Sequence, residues 1–148
     1  MKSDVQISGN TLRLTRTFNA PRERVFSYWK RPELLERWSG CNDSTKVEVR
    51  SDFRVGGTFT QKLYIHGAGE HTIRGTYEEI VEPERIVYRV NLGPATTTVT
   101  VEFFAEGNRT RVVLTQVGFP DEMLSKIVSQ GTQDSFEKLD RLLQSAVV

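Results

Sequence analysis

The pattern of apolar and polar positions divides the chain into a strand-rich body and one long C-terminal helix. Residues 121–143 are the only long stretch in which apolar side chains recur every three or four positions, the spacing of an amphipathic helix. Asp121 follows Pro120 and is placed to cap this helix, because its carboxylate accepts hydrogen bonds from free N–H groups of the first turn. The apolar stripe consists of Met123, Leu124, Ile127, Val128, Gly131, Ser135, Phe136, Leu139, Leu142 and Leu143.

Gly131 lies in the middle of this stripe, at a position where glycine is unfavourable. A glycine inside a helix costs about 1 kcal/mol relative to alanine, so a compensating interaction is expected. Two interpretations remain open. The missing side chain either lets a strand come close to the helix or leaves room for a ligand.

Most of the remaining chain alternates with a period of two, which predicts β-strands. The chain begins with a short lead strand over residues 5–7 and a strand over 11–18. Two short helices follow, beginning after Pro21. They are separated at Arg31-Pro32 because the proline ring disfavours helical geometry in the residue before it. The later strands are predicted over residues 46–49, 58–66, 70–81, 85–92, 96–106 and 109–117. Short loops make successive strands neighbours in an antiparallel meander.

These elements predict a single α+β domain over residues 1–148. We expect a curved antiparallel sheet of about six to seven strands around the long C-terminal helix, with two short helices after the first strand. A highly twisted sheet of that size tends to curl. Curled around one helix, it encloses more volume than the helix alone can fill.

Composition narrows the function classes. Twenty basic and nineteen acidic residues give a formal charge of +1, which predicts no general attraction to nucleic acid or to a membrane surface. The chain has neither an apolar run of membrane-spanning length nor an apolar N-terminal signal stretch, and its single cysteine, Cys41, fits a reducing compartment, so we expect a cytoplasmic protein. No nucleophile elbow is present, and the segment Gly67-Ala68-Gly69 lacks the third glycine of a dinucleotide fingerprint, so no cofactor is predicted.

The residues His66, Glu70 and His71, and separately Cys41, have reactive side chains but are better explained as structural. His66, Glu70 and His71 flank a predicted hairpin turn and have the chemistry of metal ligands, but a solvated hairpin tip explains them better, and no metal is predicted. Cys41 has no base or oxyanion donor nearby in the sequence, so we interpret it as a half-buried structural residue. No catalytic residue is assigned.

The aromatic residues favour a binding cavity beside Gly131, because an apolar pocket with a few polar anchors is the usual form of a small-molecule site. Candidate anchors on the strands are Arg16, Gln61, Arg74, Glu102 and Gln116. Arg16 shares the inward face of its strand, and it is expected either to pair with a carboxylate or reach solvent, or to hold an acidic ligand group at the cavity rim. The predicted ligand-binding residues are Arg16, Trp29, Trp38, Leu63, Tyr77, Tyr88, Val101, Leu114, Gln116, Phe119, Ile127 and Gly131. Residues 29–41 and 118–120 are expected to form the gate.

Several segments resemble a known family. They are LTRTFNAPRERVF (14–26), PELLERW (32–38), GGTF (56–59), RGTYEEI (74–80) and PERIV (83–87), together with VTV (99–101), Thr110 and LT (114–115). The chain resembles the START/Bet v 1-like (SRPBCC) superfamily, and more closely its branch of homologues of the activator of Hsp90 ATPase (AHSA1-like). The resemblance implies the helix-grip fold. Where that branch usually has Gly-Trp entering the final helix, this chain has Gly131-Thr132, a difference that would enlarge the cavity or alter its mouth.

Three functional hypotheses follow. The leading one is binding of a small hydrophobic molecule between the sheet and the final helix, without catalysis. The second is a cyclase- or hydrolase-like enzyme that uses Arg74, Glu102 or His71 to transfer protons. The third, implied by the resemblance, is a co-chaperone partner of an Hsp90-like ATPase with a place in the stress response. We expect a monomer or weak homodimer, because the charges around strand 46–49 guard that exposed edge.

Overall fold

The computed structural model describes residues 3–40, 42, 44–93 and 95–145. Cys41 and the turn residue Pro94 lie outside the described residues. The helices are α1 (Arg22–Lys30), α2 (Pro32–Trp38) and α3 (Glu122–Ser145). The strands are β1 (Asp4–Ser8), β2 (Thr11–Phe18), β3 (Ser44–Ser51), β4 (Thr58–Ile65), β5 (Gly69–Val81), β6 (Arg85–Leu92), β7 (Ala95–Glu106) and β8 (Arg109–Val117).

All strands of the described chain join one antiparallel sheet in the order β1-β2-β8-β7-β6-β5-β4-β3. The α+β helix-grip prediction is confirmed, but the estimate of about six to seven strands was wrong, because the sheet has eight. The lead strand β1 accounts for the undercount. Although short, it pairs along its whole length with β2, from Asp4 opposite Thr15 to Ser8 opposite Thr11.

The long helix begins where the sequence predicts. The Leu124 N–H donates to Asp121 Oδ1 at 2.8 Å, which confirms Asp121 as the cap of α3. The C-terminal half of α3 buries Phe136, Leu139 and Leu143 completely or almost completely. No helix within the described residues combines the length and the apolar composition that crossing a membrane requires.

The N-terminal half of α3 departs from the predicted stripe. Met123 and Ile127 are 73% and 63% exposed, whereas Ser125 and Ser129 are buried. Both serine hydroxyls have partners on the helix itself: Ser125 Oγ donates to the Glu122 carbonyl, and Gln133 Nε2 donates to Ser129 Oγ. These bonds make their burial tolerable without apolar contacts. The apolar side of this half therefore does not face the core.

The two short helices close one end of the molecule with aromatic contacts. The rings of Trp29 on α1 and Trp38 on α2 are 4.6 Å apart, and Trp29 meets Phe103 of β7 edge to face at 5.1 Å. The Trp38 indole also donates to the Tyr28 carbonyl at 2.9 Å, which fixes α2 against α1. Phe136 of α3 packs on Trp29, so the long helix joins the same cluster.

The packing of α3 leaves space beneath it. Within the described residues α3 lies close to β1, β2 and α2, whereas the middle strands of the sheet stand away from it. The ring of Phe18 on β2 meets Phe136 at 5.5 Å on the packed side. On the other side, the curved sheet and the helix separate.

Candidate functional site

A cavity of about 350 Å³ occupies the space between α3 and the concave face of the sheet. Strands β3 to β8 form its floor, α3 lies opposite, and Trp29 with Leu35 and Trp38 closes the end formed by the short helices. This volume is within the usual range of small-molecule sites, about 300–1,000 Å³. The protein's own side chains therefore leave a cavity of ligand-binding size.

Close packing of rings shapes the floor. Phe59 meets Tyr77 at 5.1 Å and Tyr88 at 5.4 Å. Gly75 makes this arrangement possible, because a Cβ there would collide with the Phe59 ring and with the Arg89 carbonyl oxygen. The glycine of the RGTYEEI segment thus allows an aromatic ring of β4 to lie across β5.

The wall is predominantly apolar, and the described residues that line it include no Asp, Glu, Lys, Arg or His. Polar groups occur at few positions. The Tyr77 hydroxyl is 2.9 Å from Ser51 Oγ, and burial raises the pKa of Tyr77. Burial, assisted by the neighbouring Tyr77, raises the pKa of Tyr88 far above its ordinary value, so Tyr88 stays neutral over the physiological range. Gln116 Nε2 donates to Thr97 Oγ1 at 2.9 Å.

The structure brings most of the predicted ligand-binding residues to this wall. Those that line the cavity are Trp29, Trp38, Leu63, Tyr77, Tyr88, Leu114, Gln116, Ile127 and Gly131. Arg16, Val101 and Phe119 do not line it. Gly131, the unexplained glycine of the helical stripe, contributes a stretch of wall without a side chain.

Arg16 points inward as predicted but lies outside the cavity wall. It is 6% exposed, and its Nη2 donates to Asp140 Oδ2 on α3 at 3.2 Å. Its Nη1 donates to Ser3 Oγ at 3.4 Å. Pairing with a carboxylate is confirmed, and holding a ligand acid at the cavity rim is not what this geometry provides.

Val101 and Phe119 are buried for other reasons. Val101 is completely buried at the end of β7 that α1 covers, where the next inward residue, Phe103, packs against Phe26 at 5.1 Å. Phe119 is 4% exposed, and its N–H donates to the Asn10 carbonyl at 3.3 Å. The predicted gate at residues 118–120 is therefore tied to the β1–β2 turn.

Other wall residues were absent from the predicted ligand-binding set, although Gln61 was named among the candidate anchors. They are Leu35, Ser39, Gly40, Val49, Phe59, Gln61, Ile73, Ile86, Val90, Leu92, Val99, Val128, Thr132, Ser135 and Phe136. Strand alternation contained the information for many of them: Phe59 and Gln61 share a face with Leu63, and Val90 shares one with Tyr88. Whether these residues line the cavity depends on which strands α3 leaves uncovered, and sequence periodicity does not predict that.

The residues proposed for proton transfer do not meet in the cavity. Arg74 and His71 are exposed, and Glu102 is not on the wall. His71 Nε2 is 2.9 Å from the Ala68 carbonyl oxygen, within its own hairpin turn. Among the described residues, no three His, Cys, Asp or Glu side chains come together in a group able to hold a metal ion.

The curved sheet, the long helix and the cavity between them define a helix-grip protein of the SRPBCC class. The chain belongs to the family described as activator of Hsp90 ATPase homolog 1-like protein, whose model matches residues 19–144. No curated protein matches the chain at a significant level.

Solved structures of bacterial proteins share this fold over nearly their whole lengths. A protein from Chromobacterium violaceum is 27% identical, with a TM-score of 0.81 over 90% of this chain and 97% of its own. One from Rhizobium leguminosarum is also 27% identical, with a TM-score of 0.78 over 98% and 99% of the two chains. A third, from Rhizobium loti, is 30% identical, with a TM-score of 0.74 over 93% and 98%.

Proposed function

We propose that this protein binds a small, largely apolar molecule in the cavity between the sheet and α3. The observation that carries the proposal is a cavity of about 350 Å³ whose described wall is mainly aromatic and aliphatic and bears no charge. A molecule that loses about 300 Å² of apolar surface on entering it gains roughly 7.5 kcal/mol before the entropic cost of association is subtracted. A gain of about 7.5 kcal/mol corresponds to a dissociation constant of about 3 μM, and the entropic cost of association makes the expected binding weaker than that.

The wall favours binding over catalysis. A hydrolase or cyclase needs a positioned acid, base or nucleophile close to the reacting atoms. The described wall offers only tyrosine, serine and threonine hydroxyls with two glutamine amides, and the tyrosines are held in their neutral form. We therefore place the ligand hypothesis ahead of the enzyme hypothesis.

A pair of valine substitutions tests the proposal. Val99 lies on the cavity wall, whereas Val87, on the neighbouring strand β6, is half-buried and is not part of that wall. Val99→Phe should fill part of the cavity, and Val87→Phe makes the same change elsewhere on the sheet. Apolar probes should raise the melting temperature of the wild type and of Val87→Phe but not of Val99→Phe. Equal shifts in all three proteins, or none in any, would contradict the proposal.

The family description supports a second candidate, regulation of an Hsp90-like ATPase through the outer surface of the domain. Charged side chains on the outer face pair with neighbours of opposite charge, as Arg89 does with Glu78 at 3.0 Å and Arg111 with Glu106 at 3.3 Å. These pairs therefore do not form a strongly positive or strongly negative docking surface. Stimulation of a chaperone ATPase that persists in Val99→Phe would favour this candidate. A rate unaffected by the wild-type protein would exclude it for the chaperone tested.

A further inference from the structure

Two hydrogen-bonding side chains of the cavity lie in one row across the sheet. Tyr88 is opposite Val99 in the β6–β7 pairing, and Val99 is opposite Gln116 in the β7–β8 pairing. All three line the cavity. Since neighbouring strands are about 4.8 Å apart, the Tyr88 and Gln116 backbones are separated by about 10 Å of sheet. A bound molecule lying over Val99 therefore meets a polar group on each side.

Tyr88 is the donor of this row. Tyr88 is half-buried on the cavity wall, and within the described residues its hydroxyl is not among the buried polar atoms, so it is open to a partner in the cavity. The rings of Phe59 and Tyr77, at 5.4 and 6.2 Å, hold its orientation. Because Tyr88 stays protonated, it can donate a hydrogen bond to an acceptor on a ligand.

Gln116 complements it from the other side. Its Nε2 donates to Thr97 Oγ1, and the Thr97 hydroxyl in turn donates to the Val90 carbonyl oxygen at 3.5 Å. These contacts fix the amide plane of Gln116 and leave its carbonyl oxygen without a described partner. Gln61 on β4 adds a third uncharged polar side chain to the wall.

No charged group is available to complement these positions from the described wall. Arg16 is paired with Asp140 outside the cavity. Lys138 Nζ reaches the carbonyl oxygen of the wall residue Ser39 at 3.3 Å, but Lys138 itself is not on the wall. A carboxylate or an ammonium group bound here would lose its hydration without gaining a counter-charge, which is unfavourable.

We infer that the cavity selects uncharged molecules that combine an apolar, ring-sized body with a hydrogen-bond acceptor such as a ketone or amide carbonyl, which the Tyr88 hydroxyl binds. This inference rests on the proposed function and specifies its ligand class. It excludes the hydrophobic acids, because the described wall supplies no positive charge to compensate for the lost hydration of a carboxylate.

Three probes of nearly equal shape separate the effect of charge from the effect of a hydrogen-bond acceptor. They are 2-acetylnaphthalene, which is neutral with a carbonyl acceptor, 2-naphthoate, which is anionic at pH 7.5, and 2-isopropylnaphthalene, which has neither a charge nor an acceptor. Dissociation constants are measured by calorimetric titration of the full chain. The acetyl compound should bind at least 100-fold more tightly than the acid, and the ratio of its affinity to that of the isopropyl compound in the wild type is the reference for the variants.

Tyr88→Phe removes only the hydroxyl and should weaken acetyl binding about fivefold to tenfold, as expected for the loss of one hydrogen bond, while leaving isopropyl binding unchanged. Tyr64→Phe is the matched control, because Tyr64 is on β4 but not on the cavity wall. Naphthoate binding as tight as acetylnaphthalene binding overturns the inference and leaves the proposed function standing. Acetyl binding that is as tight in Tyr88→Phe as in the wild type overturns the role of the hydroxyl. Failure of all three probes to bind overturns the proposed function, and the inference with it.

Discussion

Arg16 shows how a single residue can be placed on the correct face and still belong to a different part of the molecule. Alternation along β2 put its side chain inward, which the structure confirms. Its partner, Asp140, is 124 residues further along the chain. No local pattern identifies a pairing over that distance, so the sequence left the choice between an ion pair and a ligand contact open.

Removing the partner of Arg16 should be strongly destabilising. Asp140→Asn leaves a guanidinium that is 6% exposed without its counter-charge, and the free energy of unfolding should fall by about 3 kcal/mol. Urea denaturation measures the change. The double variant Arg16→Met/Asp140→Leu should recover most of the loss, since a well-packed apolar pair often replaces a buried ion pair without penalty.

The exposed pair Lys126–Glu122, 3.2 Å apart on α3, provides the control. Glu122→Gln should change the free energy of unfolding by less than about 1 kcal/mol, because solvent screens exposed ion pairs. If Asp140→Asn is as mild as Glu122→Gln, the buried Arg16–Asp140 pair contributes no more to stability than an exposed ion pair, which would contradict this prediction.

At the scale of elements, α3 is one helix with two environments. Leu139 and Leu143 are buried in the core and Phe136 is buried where the core meets the cavity, whereas Ile127 and Val128 border the cavity and Met123 is exposed. Helical periodicity found the element and its cap but assigned one continuous buried stripe. It could not do more, because the same apolar residues serve on a helix that covers a core and on one that spans an open space.

The Asp121 cap should contribute to the stability of the protein, because the apolar side chains Met123 and Ile127 in the N-terminal half of α3 are exposed. Asp121→Ala removes the acceptor of the Leu124 N–H and should lower the free energy of unfolding by about 1 kcal/mol, and Asp121→Asn should lower it much less because asparagine is an equally good cap. Chemical denaturation of the three proteins gives the comparison. An equal loss in both variants would attribute the effect to charge and not to the hydrogen bond.

At the scale of the whole molecule, the function depends on where the curved sheet and the helix separate. Local alternation predicted the strands, and resemblance supplied the helix-grip arrangement that the family match and the structure confirm. The wall was only partly predicted. Gln116 lies two residues after the inward-facing Leu114 on the same strand, so alternation places it inward, whereas the facing of Gln61, Arg74 and Glu102 follows only from the pairing of all strands.

The position of a bound molecule tests the account most directly. Intermolecular nuclear Overhauser effects are measured between 2-acetylnaphthalene and the side chains of the isotopically labelled protein. The account predicts contacts to the rings of Trp38, Tyr77 and Tyr88 and to the Val99 methyl groups, all of which line the cavity. Contacts confined to exposed apolar residues such as Phe104 and Met123, with none inside the cavity, would contradict it.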